Sequence, residues 1–163
     1  MSRLSVSASL EAKLLGVLRS LVPEIPSVGF LETADAGTAK NEDPTAFQVR
    51  VYNFRQTNEA FNAFVISAEI RLNVEQAESA NGGLFFDAHE KVALWLENIM
   101  LGDECEALST DEADIVGFQR TGDDKDFDTM TDGWFASWDM TLSGHVKIVN
   151  EQHEQEADNE SDI

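Results

Sequence analysis

Within residues 62–74 the even positions from Phe64 onward, Phe64, Ile66, Ala68, Ile70, Leu72 and Val74, are apolar, and Ser67, Glu69, Arg71 and Asn73 stand between them. A period of two is that of an extended strand with one buried and one wet face. The pattern returns over residues 134–148, where Trp134, Ala136, Trp138, Met140, Leu142, Gly144, Val146 and Ile148 alternate with a mostly polar set that includes Ser137, Asp139, Thr141, Ser143, His145 and Lys147. A shorter alternation through Phe47, Val49 and Val51 predicts a strand over 46–52. The polar connection 53–61 would close it into an antiparallel hairpin with the strand that follows. Residues 28–31 and 115–120 read as two short strands.

Two segments carry the helical period instead. Over 7–21, Leu10, Leu14, Val17, Leu18 and Leu21 recur on one face behind Ser7 or Ser9 as caps, and Pro23 and Pro26 end the run. Asp87 followed by Glu90 has the form of a capping box, so a second helix is expected from there to about Leu101, burying Ala88, Val92, Trp95, Leu96 and Ile99 and stopping at Gly102. The stretches between, 32–45, 75–84, 103–114 and 121–133, have no period and read as loops, the last two acidic. Strands apolar on one face only, together with two amphipathic helices, predict an α+β fold: a mostly antiparallel sheet of four to five strands with both helices packed on one face.

The 163 residues suit one domain, taken as 1–149, and the 42% hydrophobic content is enough for a core. Residues 150–163 hold Glu151, Glu154, Glu156, Asp158, Glu160 and Asp162 without a Lys or Arg, and are expected to be a disordered acidic tail. Lys and Arg number 11 against 31 Asp and Glu, a formal charge of −20. Such a surface disfavours phosphate backbones and anionic lipid, so specific nucleic-acid binding and membrane association are not expected. It suits a basic protein partner, a nucleic-acid mimic, or the wall of a channel through which DNA slides. No apolar run approaches the roughly 20 residues of a bilayer span. The single cysteine, Cys105, lies between Glu104 and Glu106, reads as an incidental thiol and excludes an intramolecular disulfide.

Catalytic chemistry finds little support. Asp124, Asp126 and Asp128 alternate as in a calcium loop, yet Thr129 stands where such a loop needs Gly and Phe135 where it needs a bidentate Glu. His89, His145 and His153 lie far apart and make no metal spacing, and Asn81-Gly82-Gly83 lacks the Lys of a phosphate loop. No metal, no cofactor and no enzymatic activity are therefore expected. Trp95, Trp134 and Trp138 fall on apolar faces and read as core, with Trp134 bordering the acidic loop.

The succession of elements has a counterpart. An N-terminal helix, the alternating strand from Phe64, a polar loop, a helix beginning Phe86-Asp87-Ala88-His89-Glu90-Lys91-Val92, an acidic strand-turn-strand and the final strand Trp138-Asp139-Met140-Thr141-Leu142-Ser143-Gly144-His145-Val146 resemble, over residues 5–149, the tail terminator (tail completion) proteins of long-tailed phages. The resemblance implies a non-enzymatic subunit of a homo-oligomeric ring, usually of six copies, in the virion tail and, during assembly, in the host cytoplasm. It would cap the tail tube, meet the tube protein and the head connector, and leave a lumen for DNA. Asp123, Asp124, Asp126, Asp128 and Asp132 would then form a lumen or interface loop. Two readings of other classes stand beside it. One is an acidic DNA mimic that inhibits a basic partner; the other is a metal-dependent enzyme needing His89 or the 124–128 run in a pocket.

Overall fold

A computed structural model of the chain describes residues 5–30, 45–58, 62–75, 82–102, 104–128 and 133–147. Its elements run α1 (Val6–Leu21), β1 (Ser27–Gly29), β2 (Ala46–Asn58), β3 (Ala63–Glu75), α2 (Gly83–Gly102), a 3-10 turn (Cys105–Leu108), β4 (Ala113–Asp128) and β5 (Gly133–Val146). The strands form one sheet in the order β1-β2-β3-β5-β4, with every contact antiparallel except the short parallel pair of β1 with β2. The α+β architecture and the hairpin of β2 with β3 are as the alternation implies.

The sheet has one apolar face because its strands are in phase. Phe47, Val49 and Val51 of β2 lie opposite Leu72, Ile70 and Ala68 of β3, and these lie opposite Ala136, Trp138 and Met140 of β5. All nine are buried. Onto that face α1 lays Leu10, Leu14, Leu15 and Leu18, and α2 lays Phe85, Ala88, Val92, Leu96 and Ile99. Each of these Leu, Phe, Val and Ile side chains withdrawn from water stabilises the fold by about 1.5–3 kcal/mol. The opposite face carries no helix among the described residues.

The short strand expected over 28–31 is Ser27–Gly29, and four further boundaries differ from the sequence reading. Ser5, extended at φ −66° and ψ 160°, caps α1 by accepting from the Ala8 N–H at 3.0 Å, while Ser9 lies inside the helix and donates to the Val6 carbonyl. The second helix starts a turn before Asp87: Gly82, at φ +75°, precedes it, and the Phe86 N–H donates to the Gly82 carbonyl. Phe85 is fully buried and shares a helical face with Ala88 and Val92, so the core pulls the first turn into the helix and leaves Asp87 within it rather than capping it. The supposed connection at 53–61 is strand as far as Asn58, and the supposed acidic loop at 121–133 is strand as far as Asp128. Cys105 is buried in the 3-10 turn although both its neighbours are exposed. The expectations for the 32–44 loop and the 150–163 tail concern segments outside the described residues.

Two glycines stand where an added Cβ would collide with a neighbour. A Cβ at Gly144 would overlap the Asp114 carbonyl across the β4–β5 bulge, and one at Gly29 would come within 2.6 Å of the buried Glu11 carboxyl. In α1, by contrast, Gly16 has nothing within 4 Å of the Cβ position. Gly144→Ala should therefore lower stability by about 1–3 kcal/mol, the range for overpacking, whereas Gly16→Ala should raise it by about 0.5–1 kcal/mol through helix propensity. Urea midpoints of the two variants against the native chain test the pair, and equal shifts would contradict it.

Candidate functional site

The acidic segment singled out by sequence falls on β4, the edge strand. Backbone register sets Asp123 opposite Trp138, Asp124 opposite Ser137, Asp126 opposite Phe135 and Asp128 opposite Gly133. Asp123 and Asp124 are exposed, and Asp132 lies outside the described residues. The expected loop is thus mostly strand, which bears on the cation reading. A calcium loop curls its alternate ligands around one ion, whereas an extended strand spaces alternate residues about 6.6 Å apart in a row. Among the described residues no group of three or more His, Cys, Asp and Glu side chains is placed to hold a metal ion.

Because opposite residues in an antiparallel pair share a face, Asp123 and Lys125 sit on the helix-bearing side with Trp138 and Ala136, and Asp124 sits on the free side with Ser137. That arrangement brings β4 beside the N-terminal half of α2. The Lys125 ammonium lies 5.4 Å from the centroid of the Phe86 ring. Phe85 stacks on Trp134 at 5.5 Å, and Phe86 meets the same indole at 5.2 Å. His89 lies 5.1 Å from Trp138 and 5.9 Å from Phe85, centroid to centroid. The result is an aromatic corner that fastens the first two turns of α2 to the start of β5.

His89 is therefore held among rings in the second turn of α2, not at a bare helix start. Burial lowers its pKa below the ordinary value, Lys125 pushes it the same way, and Asp123 opposes both. Its contacts with the Phe85 and Trp138 rings are those of a packing group. His145 is exposed on β5, and His153 lies outside the described residues. Trp138 is fully buried, and Trp95 and Trp134 pack partly buried against the core, as their positions in the pattern imply.

Sequence reasoning missed two surfaces. On the outer face of α2, Phe86, Leu94, Met100 and Leu101 are exposed beside Glu90 and Glu97. On the far half of β2, Arg50, Asn53, Phe54, Arg55, Gln56 and Thr57 are all exposed, with the Arg50 guanidinium 4.1 Å from the Tyr52 ring centroid and Phe54 stacked on Phe64 at 5.4 Å. The signal for the second was present in composition: residues 45–58 contain two arginines and no carboxylate, in a chain of −20.

No family model and no curated protein matches the chain. Its fold, however, is shared. A chain of the virion of a native gene transfer agent (GTA) particle superposes with a TM-score of 0.51, covering 86% of this chain and 94% of its own length at 13% identity. At that identity the likeness is one of fold. It covers 86% of the chain, so it applies to more than a single hairpin.

The corner makes a prediction about acid. Since the fold favours neutral His89, protonation costs more in the folded than in the unfolded chain, so this contribution is complete above the ordinary histidine pKa of 6.5 and is lost as pH falls through that value toward the lowered one. Urea midpoints measured between about pH 7.5 and 5 should decline for the native chain and decline less for His89→Gln. Equal slopes for the native chain and the variant would remove His89 as the source.

Proposed function

We propose that this chain is a structural subunit of a phage or phage-like particle, and more specifically a tail terminator: a ring-forming, non-enzymatic protein that caps the tail tube and joins it to the head connector. The observation that carries the reading is the fold likeness, over 86% of this chain, to a chain of a gene transfer agent virion. Two further features support it. The elements come in the order of the sequence pattern that resembles tail terminators, and the acidic edge strand suits a lumen or subunit boundary, where carboxylates repel the DNA backbone and keep it sliding. Tube protein, head connector and further copies of the chain are the partners this role requires, and the virion tail is its place.

The strand assignment of Asp123, Asp124, Asp126 and Asp128 also favours one competing reading. A strand sets alternate residues in a row at about 6.6 Å, a spacing that suits a protein mimic of a phosphate backbone. Such a mimic works as a monomer against a basic partner, so assembly separates the two.

Light scattering of the purified protein over a concentration series should show a closed ring of defined mass, visible as an annulus by negative-stain microscopy. Particles made without this chain should carry tubes of unregulated length and free heads. Normal tails in its absence would refute the terminator role, and a strict monomer that binds basic proteins tightly would favour the mimic.

A further inference from the structure

The two edges of the sheet are opposite in charge. Over its 13 residues β2 has Arg50 and Arg55 and no carboxylate, whereas β4 has Asp114, Asp123, Asp124, Asp126 and Asp128 against Arg120 and Lys125. Among the described residues both edges are open along much of their length. β1 pairs only with residues 47–49, so among the described residues 50–58 have no strand on that side. At the other edge the Ile115 N–H is satisfied by the Ser109 hydroxyl at 2.9 Å, and beyond it β4 pairs, among the described residues, only with β5. Each open stretch also exposes a large apolar side chain, Phe54 at 40% and Val116 at 57%.

Register fixes how these edges stand relative to each other. Arg50 lies opposite Glu69, Glu69 opposite Asp139, and Asp139 opposite Gly122; one repeat along, Gln48 lies opposite Arg71, Arg71 opposite Ser137, and Ser137 opposite Asp124. Arg50 and Asp124 therefore occupy the same helix-free face, on opposite edges, separated in level by two residues or about 6.6 Å. Direction agrees as well. From β2 through β3 and β5 to β4 the strands alternate, so β2 and β4 run oppositely, and a copy set edge to edge with its helices on the same side meets its neighbour antiparallel.

We propose that the chain associates head to tail with further copies of itself, the open edge of β2 in one copy docking against β4 of the next, with Arg50 facing Asp124 across the contact. This rests on the ring-forming reading above and names the surface that would build the ring. A contact between two different patches is heterologous and closes into a ring when the rotation allows. The offset of one strand repeat per copy is the kind of stagger that closure of tilted strands requires. Bulges at 52–58 on β2 and at 115–122 on β4 interrupt a regular hydrogen-bond ladder, which leaves side-chain charge to set partner and register. Asp124 already accepts from the Lys125 N–H through Oδ1, an arrangement that holds the carboxylate in place.

The test is charge reversal on the full chain, read by sedimentation velocity. Arg50→Glu and Asp124→Arg are both exposed changes, and each should weaken assembly by about tenfold or more, with added salt weakening the native assembly in the same direction. The chain carrying both reversals should assemble again near the native concentration. Thermal melting of each variant separates lost assembly from lost folding. A native protein that assembles while both single variants assemble equally well, or a double variant that stays as weak as the singles, overturns this interface and leaves the ring reading standing. A native protein that is monomeric at every concentration, alone and with tail tubes, overturns both.

Discussion

The uninterrupted pairing of β3 with β5 is the constraint on which the remaining structure depends. Thirteen residue pairs, from Ala63 with His145 to Glu75 with Gly133, run without a slip. Since the side-chain period of a strand is two, a shift of one residue would turn Ile66, Ile70 and Leu72 to water and bring Glu69 and Arg71 inward. Trp138 and Met140 would be displaced with them. The register is thus held by burial on one face alone, and the helices read that face: α1 covers the β1–β2 side and α2 the β3–β4 side.

The outer strands are looser, and each has a reason to be. β2 slips register between Tyr52 and Arg55 and again before Asn58, while β4 slips at Ile115 and at Arg120. Asn53 takes a positive φ of 57° within the first of these irregularities. Bulges bend a strand and spoil its ladder, which protects an edge from indiscriminate pairing. In a chain with a −20 charge, repulsion already opposes casual association. Any contact between copies must then overcome both barriers at a particular place, and the arginines of β2 are where the sign of the surface changes.

What could be read from sequence divides along the same line. The two central strands, the buried stripe of α2 and the single apolar face are written as apolar periodicity, and that periodicity is caused by the burial it predicts. The far half of β4 is not written that way. Residues 122–128, Gly-Asp-Asp-Lys-Asp-Phe-Asp, are poor strand formers by propensity, and they extend because the backbone of β5 from Gly133 to Trp138 needs a hydrogen-bonding partner. The far half of β2 is fixed by β3 in the same manner. The helix start at Gly83 was hidden by a local signal at Asp87, which lost to the burial of Phe85 two residues earlier. As for the candidate site, its acidic residues were visible as composition, but that they stand on an edge strand, with His89 and the aromatic corner beside them, depends on long-range pairing that no local pattern records.

The aromatic corner connects these two kinds of order. Phe85, Phe86, Trp134 and His89 gather where α2 begins, β5 begins and the polar end of β4 passes, so the least apolar strand of the sheet is pinned by the most aromatic cluster of the protein. Lys125 belongs to both, since its backbone pairs with Ala136 while its ammonium lies over Phe86. An acidic edge can stay extended under its own repulsion only if something other than its side chains holds it, and here the ladder to β5 and the packing of α2 do so. Asp123 and Asp124 are consequently presented at fixed positions on opposite faces of a rigid edge rather than on a yielding loop. For a carboxylate that must meet an arginine of another molecule, that rigidity matters more than the charge itself, because an ordered group has less conformational freedom left to lose when the contact forms.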